Sequence, residues 1–466
     1  MLKKFLVILL LTIQSTAYAQ VGMQKLQMAY NTLIADPQAR YAQTALVVLD
    51  AASGDVLFGR NENTGMATAS TLKTITSATA FSLLGKDFRY QTTLAYTGTI
   101  SPEGVLRGNI VIVGGGDPTL ASWRYDQTKE NTILNQWTKA IKAAGISSIE
   151  GSVIGDDSAW GSESVPEGWV WQDIGNYYGA GPSALTWREN QFDVHLKASS
   201  SGVSVVTTKP NMPFIQIVNE LTVGAAGSGD HAYAFFPPLS NIAYLRGTWP
   251  IGIADAGISL AIPDPAFEAA YRLQDTLKRI GVSSSMEPTT TRRLSADKKI
   301  LSKSRVNLLT TYSPSLSQII YWFNKKSINL YGEHLIRTFS WKAGSPVSTN
   351  NGVKKEISYW ASKGLDPKAM NIIDGSGLSP ATRVTPLAMA KVLFLAQKES
   401  WYSDYIQSFP EHNGMQLKSG SINDVSAYAG YYTASNGKKY IIVININNYS
   451  GSGISKKLFR VLDALK

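Results

Sequence analysis

Met66-Ala67-Thr68-Ala69-Ser70-Thr71-Leu72-Lys73 decides how this chain is read. A small, mostly apolar run leads to a serine. The lysine three residues on enters an apolar stretch that holds Ile75, Ala78, Ala80, Phe81 and Leu83. That pattern predicts a helix from about Ser70 to Leu84. Residues three apart share one helix face, so Ser70 and Lys73 would be neighbours. The free N–H groups and dipole at a helix start favour developing negative charge. A lysine there can act as base for the serine, provided burial or a neighbouring cation lowers its pKa. Alone the pair says little, because a capping serine and a surface lysine give the same spacing. Two further pairs, Ser295/Lys298 and Ser435/Lys438, fall in a polar segment and a tight turn and read as solvated.

Composition narrows the alternatives. The chain has 466 residues, 44% hydrophobic and 17% charged, with 22 Tyr, 14 Phe and 11 Trp. This is a folded composition of two or three domains, not a disordered or fibrous one. No cysteine is present, which excludes thiol nucleophiles, disulfides, thiolate metal sites and a lipidated cysteine. The four histidines (His195, His231, His334, His412) form no HExxH pattern, and no GxSxG occurs. A hydroxyl nucleophile is left, with no metal or cofactor implied. The net charge of +10 is spread over short basic groups such as Arg292-Arg293 and Lys325-Lys326. It reads as a solvated surface with diffuse attraction to anionic envelope polymers or a membrane surface, not as a nucleic-acid face.

The first residues predict export. Lys3 and Lys4, the apolar run Phe5 to Leu11 and Ala17-Tyr18-Ala19 form a secretory signal over 1–19, too short for a membrane span. The expected product is exported, with the periplasm as the favoured compartment, and soluble or peripherally attached.

Outward from Ser70, Thr44 to Arg60 reads as strand, turn, strand. Residues 95–296 carry many short strand-like pieces, with helices expected at Glu130 to Ala144 and Ala266 to Ile280. They read as a mainly β insert of one or two subdomains. The last part is expected to open with helical patterns near Val306 to Thr311 and Ser315 to Phe339. Tyr428 to Ala434 and Tyr440 to Ile446 flank Asn436-Gly437, a strong hairpin cue, and a final helix is expected at Ile454 to Leu465. The expectation is one catalytic domain, 20–94 and 297–466, split by the insert.

Two further motifs follow in order. Ser327-Ile328-Asn329 is a Ser-x-Asn, uninformative by itself. Lys418-Ser419-Gly420 is the sole Lys-[Ser/Thr]-Gly and sits just before the hairpin. Gly420 would let a substrate backbone approach, while Lys418 and Ser419 can bind a carboxylate. Ser-x-x-Lys, Ser-x-Asn and Lys-[Ser/Thr]-Gly in this order are the trio of β-lactamases and penicillin-binding proteins. The distance from Ser70 to Ser327 is far too long for an ordinary β-lactamase core, and the insert accounts for it.

The trio comes with Gly116-Asp117-Pro118-Thr119-Leu120, the block Trp171 to Ala180, and Asp374-Gly375-Ser376-Gly377-Leu378-Ser379. Together they resemble the class C low-molecular-mass penicillin-binding proteins, D-alanyl-D-alanine carboxypeptidases/endopeptidases of the penicillin-binding protein 4 type. The resemblance covers essentially the whole mature chain. It implies an α+β fold of the β-lactamase/transpeptidase kind, an antiparallel sheet flanked by helices. It implies Ser70 as nucleophile, Lys73 as its base, Ser327 as proton relay and Asn329 as a holder of the substrate amide. Lys418 would supply positive charge, Ser419 would bind the terminal carboxylate beside Gly420, which lets the substrate backbone approach, and the N–H groups of Ser70 and Ser421 would form the oxyanion hole. Asp173 and Tyr178 match positions that reach the substrate side chain in relatives; a capping Asp and a buried Tyr are the plainer reading. Many relatives carry an arginine where this chain has Pro380, and Arg383 is the candidate replacement. Substrates would be peptidoglycan stem peptides, with β-lactams as covalent inhibitors. A β-lactamase or D-amino-acid esterase on the same fold, and a non-catalytic cell-wall binding protein, are the competing readings.

Overall fold

Two runs from opposite ends of the chain, Gln43–Asp50 and Lys439–Asn447, lie antiparallel with Gln43 opposite Asn447. This pair forms the second and third strands of a six-stranded sheet in a computed structural model that describes residues 23–253 and 256–466. The expected export signal, residues 1–19, lies outside the described residues. The strand order is Val56–Arg60, Gln43–Asp50, Lys439–Asn447, Val425–Thr433, Met415–Ile422 and the short Glu411–His412, antiparallel throughout. The Asn436-Gly437 turn joins two of these strands, with Gly437 at φ 81°.

Successive strand side chains point to opposite faces, so each run here feeds two cores. Leu46 and Val48 pack with Leu26 and Tyr30 of the helical residues 23–34 and with the helix Ile454–Leu462. Val47 and Leu49 face the opposite way, towards the helices Lys73–Leu84, Leu316–Lys325, Asn329–Lys342 and Pro386–Ala396. Lys73–Leu84 is surrounded by these elements, with Ile75, Ala78, Ala80 and Phe81 fully buried. Burying a side chain such as Ile75 or Phe81 contributes about 1.5–3 kcal/mol.

The inserted region has two cores of its own. In one, the helices Glu130–Ala143 and Pro265–Arg279 pack against short strands around Ile110, Ile112 and Val153. In the other, two three-stranded sheets enclose Phe192, Leu245, Trp249 and Leu260. The first combines strands with the two expected helices; the second is all β.

Three expectations are corrected. Residues 306–312 form a strand, Val306–Tyr312, not a helix. Its valine, threonines and tyrosine suit a strand, and it pairs with Gln91–Tyr96. Because Gln91–Tyr96 also pairs with Ile110–Val113, the insert's sheet extends beyond 95–296 on both sides. The helical pattern from Ser315 to Phe339 is broken into Leu316–Lys325 and Asn329–Lys342. No helix among the described residues is long and apolar enough to cross a membrane.

Candidate active site

Ser70 lies in a 3-10 turn, Ala69–Leu72, that leads straight into the helix Lys73–Leu84. Ala69 before it adopts a left-handed φ of 44°. The segment is tied down from both sides. Ala67 donates its N–H to Asn447 Oδ1 at 2.8 Å, and Asn445 Nδ2 donates to the Ala67 carbonyl at 2.9 Å. Gly420, on the neighbouring strand, is pressed against it: a Cβ there would sit 2.7 Å from the Thr68 carbonyl and 2.9 Å from the Ser70 nitrogen. Only glycine permits this approach of strand to turn.

Lys73 is completely buried. Its Nζ lies 2.8 Å from Ser70 Oγ, 2.6 Å from Asn329 Oδ1 and 2.8 Å from the Ser376 carbonyl. Asn329 Oδ1 and the Ser376 carbonyl accept only. A neutral amine would give them its two N–H groups and leave its lone pair facing the Ser70 hydroxyl. Burial, reinforced by the charge of Lys418, holds the Lys73 pKa well below the usual lysine range, with Asp374 and Glu333 pulling the other way. These are the conditions for a lysine base.

The Ser376 carbonyl is placed by a folded loop. Asp374, fully buried, accepts from the N–H groups of Gly377 and Ser379, from Thr382 Oγ1 and from Trp169 Nε1. Glu333 accepts the Gly375 N–H, and burial together with Asp374 raises its pKa to about 8.

Ser327 ends the helix Leu316–Lys325 with φ 55°, a conformation that usually falls to glycine. The Ile328 N–H closes the turn on the Phe323 carbonyl at 3.2 Å. A serine kept in this position is an outlier of the kind that clusters at functional sites. The turn delivers Ser327 Oγ to within 3.0 Å of Lys418 Nζ and starts the next helix at Asn329. Lys418 also donates to the Ser419 carbonyl at 2.7 Å, and its burial lowers its pKa to about 7.

Ser70 of the first motif and Ser327 and Asn329 of the second line one cleft of about 630 Å³; Ser421, just after the third motif, lines it too, and Lys418 reaches it through Ser327. The inserted region closes one wall with Val170, Gln172, Asp173, Tyr178 and Tyr233. Asp173 and Tyr178 interact through their side chains, and burial raises the pKa of both. Pro380 lines the cleft. Arg383 does not: it is exposed on the short strand Arg383–Val384, which pairs with Met66–Ala67. Nor do Lys418, Ser419 or Gly420 belong to the lining, which resumes at Ser421. The motifs did not single out Tyr233, Asp424 or Tyr449, which also line the cleft. Their signal is tertiary, since each comes from a separate surface segment. The Asp-Gly-Ser-Gly block did carry a local cue, an aspartate followed by turn residues, for the loop that holds Lys73.

A serine facing a buried lysine, with a second serine–lysine pair across the same cleft, defines a serine–lysine hydrolase of the penicillin-binding and β-lactamase class. The D-Ala-D-Ala carboxypeptidase 3 (S13) family matches residues 26–465, and the chain belongs to that family of serine-type peptidases. It is 24% identical over 455 residues to a D-alanyl-D-alanine carboxypeptidase of Actinomadura sp., covering 90% of this chain and 80% of the relative. It is 25% identical over 424 residues to the D-alanyl-D-alanine carboxypeptidase DacB of Haemophilus influenzae, covering 86% and 84%. The crystal structure of penicillin binding protein 4 from Haemophilus influenzae superposes with a TM-score of 0.75 at 22% identity, over 90% of this chain and 94% of that one. The same fold is seen in its complex with a β-lactam, at a TM-score of 0.69.

Proposed function

We propose that this chain is an exported serine D-alanyl-D-alanine carboxypeptidase, with endopeptidase capacity, that acts on peptidoglycan stem peptides and is acylated by β-lactams. The observation that carries this reading is the Lys73 amine, buried and held by two acceptors with Ser70 Oγ at 2.8 Å. Lys73 takes the Ser70 proton as Oγ attacks the carbonyl between the two D-alanines. The N–H groups of Ser70 and Ser421 receive the oxyanion, an effect typically worth about 3–4 kcal/mol of barrier per donor. Collapse breaks the C–N bond, and Ser327, supported by Lys418, relays the proton held by Lys73 to the departing D-alanine amine. Lys418 and Ser419 meet the terminal carboxylate. Water then attacks the ester and gives its proton to Lys73, which returns it to Ser70 Oγ as the acid leaves. Asp173 and Tyr178 contact the stem-peptide side chain. Lys3, Lys4, the apolar run after them and Ala17-Tyr18-Ala19 support export, with the periplasm as destination.

The test is intact-protein mass spectrometry with a β-lactam, for wild type and Ser70→Ala, followed by D-alanine release from a pentapeptide. A long-lived adduct on the Ser70 peptide, absent from the variant, with D-alanine released, supports the reading. Drug hydrolysed without accumulation points to a β-lactamase, and intact drug with no adduct sinks the acyl-enzyme.

A further inference from the structure

The strand His231–Phe235 carries Tyr233 and Phe235 on one face, and the neighbouring strand Ile242–Pro250 sets Arg246 and Tyr244 directly opposite them. The other face of this sheet, with Ala232, Ala234, Ala243 and Leu245, is buried in the β core. Trp171 extends the ring-bearing face, 6.2 Å from Phe235. Trp171 is 49% exposed and Tyr244 36%. The Arg246 guanidinium lies over Phe235 at 5.3 Å and Tyr244 at 5.4 Å, and its charge is matched by Glu220 at 2.6 Å. The result is an open aromatic platform with no net charge of its own.

The platform is continuous with the cleft, because Tyr233 belongs to both. Large exposed apolar patches on a soluble protein mark interaction sites. Electron-rich ring faces without unpaired charge suit a neutral ligand that presents flat C–H faces, which is the chemistry of N-acetylated amino sugars. A stem peptide in the cleft is covalently attached to such sugars. We propose that the face formed by Trp171, Phe235, Tyr244 and Arg246 binds the glycan strand from which the substrate peptide hangs. This rests on the stem-peptide reading of the cleft.

The test uses the full mature chain. Neutral oligomers of N-acetylglucosamine are titrated by calorimetry into wild type, Ser70→Ala and the double variant Trp171→Ala/Tyr244→Ala. Saturable binding is expected in the first two and its loss in the third, with Trp171→Phe retaining it. In turnover, the double variant is expected to raise KM for a disaccharide-linked pentapeptide about tenfold, two lost ring contacts together, and to move KM for the sugar-free pentapeptide about twofold or less. No saturable glycan binding by wild type, or equal effects on both peptides, overturns the proposal. A defect confined to sugar-free cross-linked peptides also overturns it and gives the face to a second stem peptide. Glycan binding without D-alanine release from either peptide leaves the platform standing and removes the carboxypeptidase reading instead.

Discussion

Asn329 donates from Nδ2 to the backbone carbonyl of Tyr178 at 2.8 Å. This bond crosses from the helix behind Ser327 to the inserted wall of the cleft. It fixes the amide, since Oδ1 is then left to accept from Lys73 at 2.6 Å. A flipped amide would lose both bonds.

Asn329→Asp turns that arrangement against itself. A carboxylate would face the Tyr178 carbonyl, acceptor against acceptor, and would place a negative charge beside Lys73. The Lys73 pKa rises, and the fraction of neutral base falls. Acylation by a β-lactam at neutral pH is expected to slow by about 10²-fold or more, with the pH optimum moved upwards. Stopped-flow acylation across pH measures both; an unchanged profile would discard the lone-pair assignment.

The two cleft lysines predict a pH profile. In the proposed mechanism Lys73, depressed by burial and by Lys418, must be neutral to act as base, so kcat/KM rises as it deprotonates below the usual lysine range. Lys418 must keep its charge, and its pKa of about 7 in the free protein sets the falling limb. A bound terminal carboxylate favours charged Lys418, so the falling limb of kcat lies at higher pH than that of kcat/KM. Initial rates of D-alanine release from pH 5 to 9 check this; coincident falling limbs would count against Lys418 as the carboxylate's partner.

Gly420→Ala would add a Cβ 2.7 Å from the Thr68 carbonyl and 2.8 Å from the Thr71 nitrogen. Strand and turn must part by several tenths of an ångström, which moves Ser421 relative to Ser70. The fold is expected to persist at a cost of about 1–3 kcal/mol, while acylation falls about 10²-fold. Thermal unfolding and acylation rates measured together separate the two effects.

Glu356 is buried against the helix Lys73–Leu84, accepting from Thr79 Oγ1 at 3.0 Å. Burial raises its pKa from 4.5 to about 8. With the folded value above the unfolded one, its contribution is complete below about pH 4.5 and is lost as pH rises through 8. Glu356→Gln keeps the shape and removes the titration. The wild-type fall in Tm between pH 5 and 9 is expected to be shallower in the variant; parallel curves would refute the assignment.

Much of the site was legible because its chemistry is local in sequence. Ser70 and Lys73 share one helical turn, and Lys418 to Ser421 share one strand. The glycine-like role of Ser327 was not legible, since nothing in Lys325-Lys326-Ser327 announces a helix end; the break appears only where Ser327 must reach Lys418. Val306–Tyr312 was misread for a related reason. Its apolar residues fit either period, and the partner strand that decides between them lies more than two hundred residues earlier. Arg383 was a candidate by proximity in sequence to Pro380, yet the intervening turn carries it onto a strand outside the cleft.

The pairing of Gln43–Asp50 with Lys439–Asn447 sets an order of assembly. A chain made from its N-terminus carries Ser70 and Lys73 early, but Asn445 and Asn447, which tie down the preceding turn, arrive near the end. The inserted region can close its own cores before then. Such long-range closure is slow. Ser70 and Lys73 therefore stay unassembled until the strand Lys439–Asn447 has been made and paired, so a chain cut short before that strand presents no ordered site around Ser70.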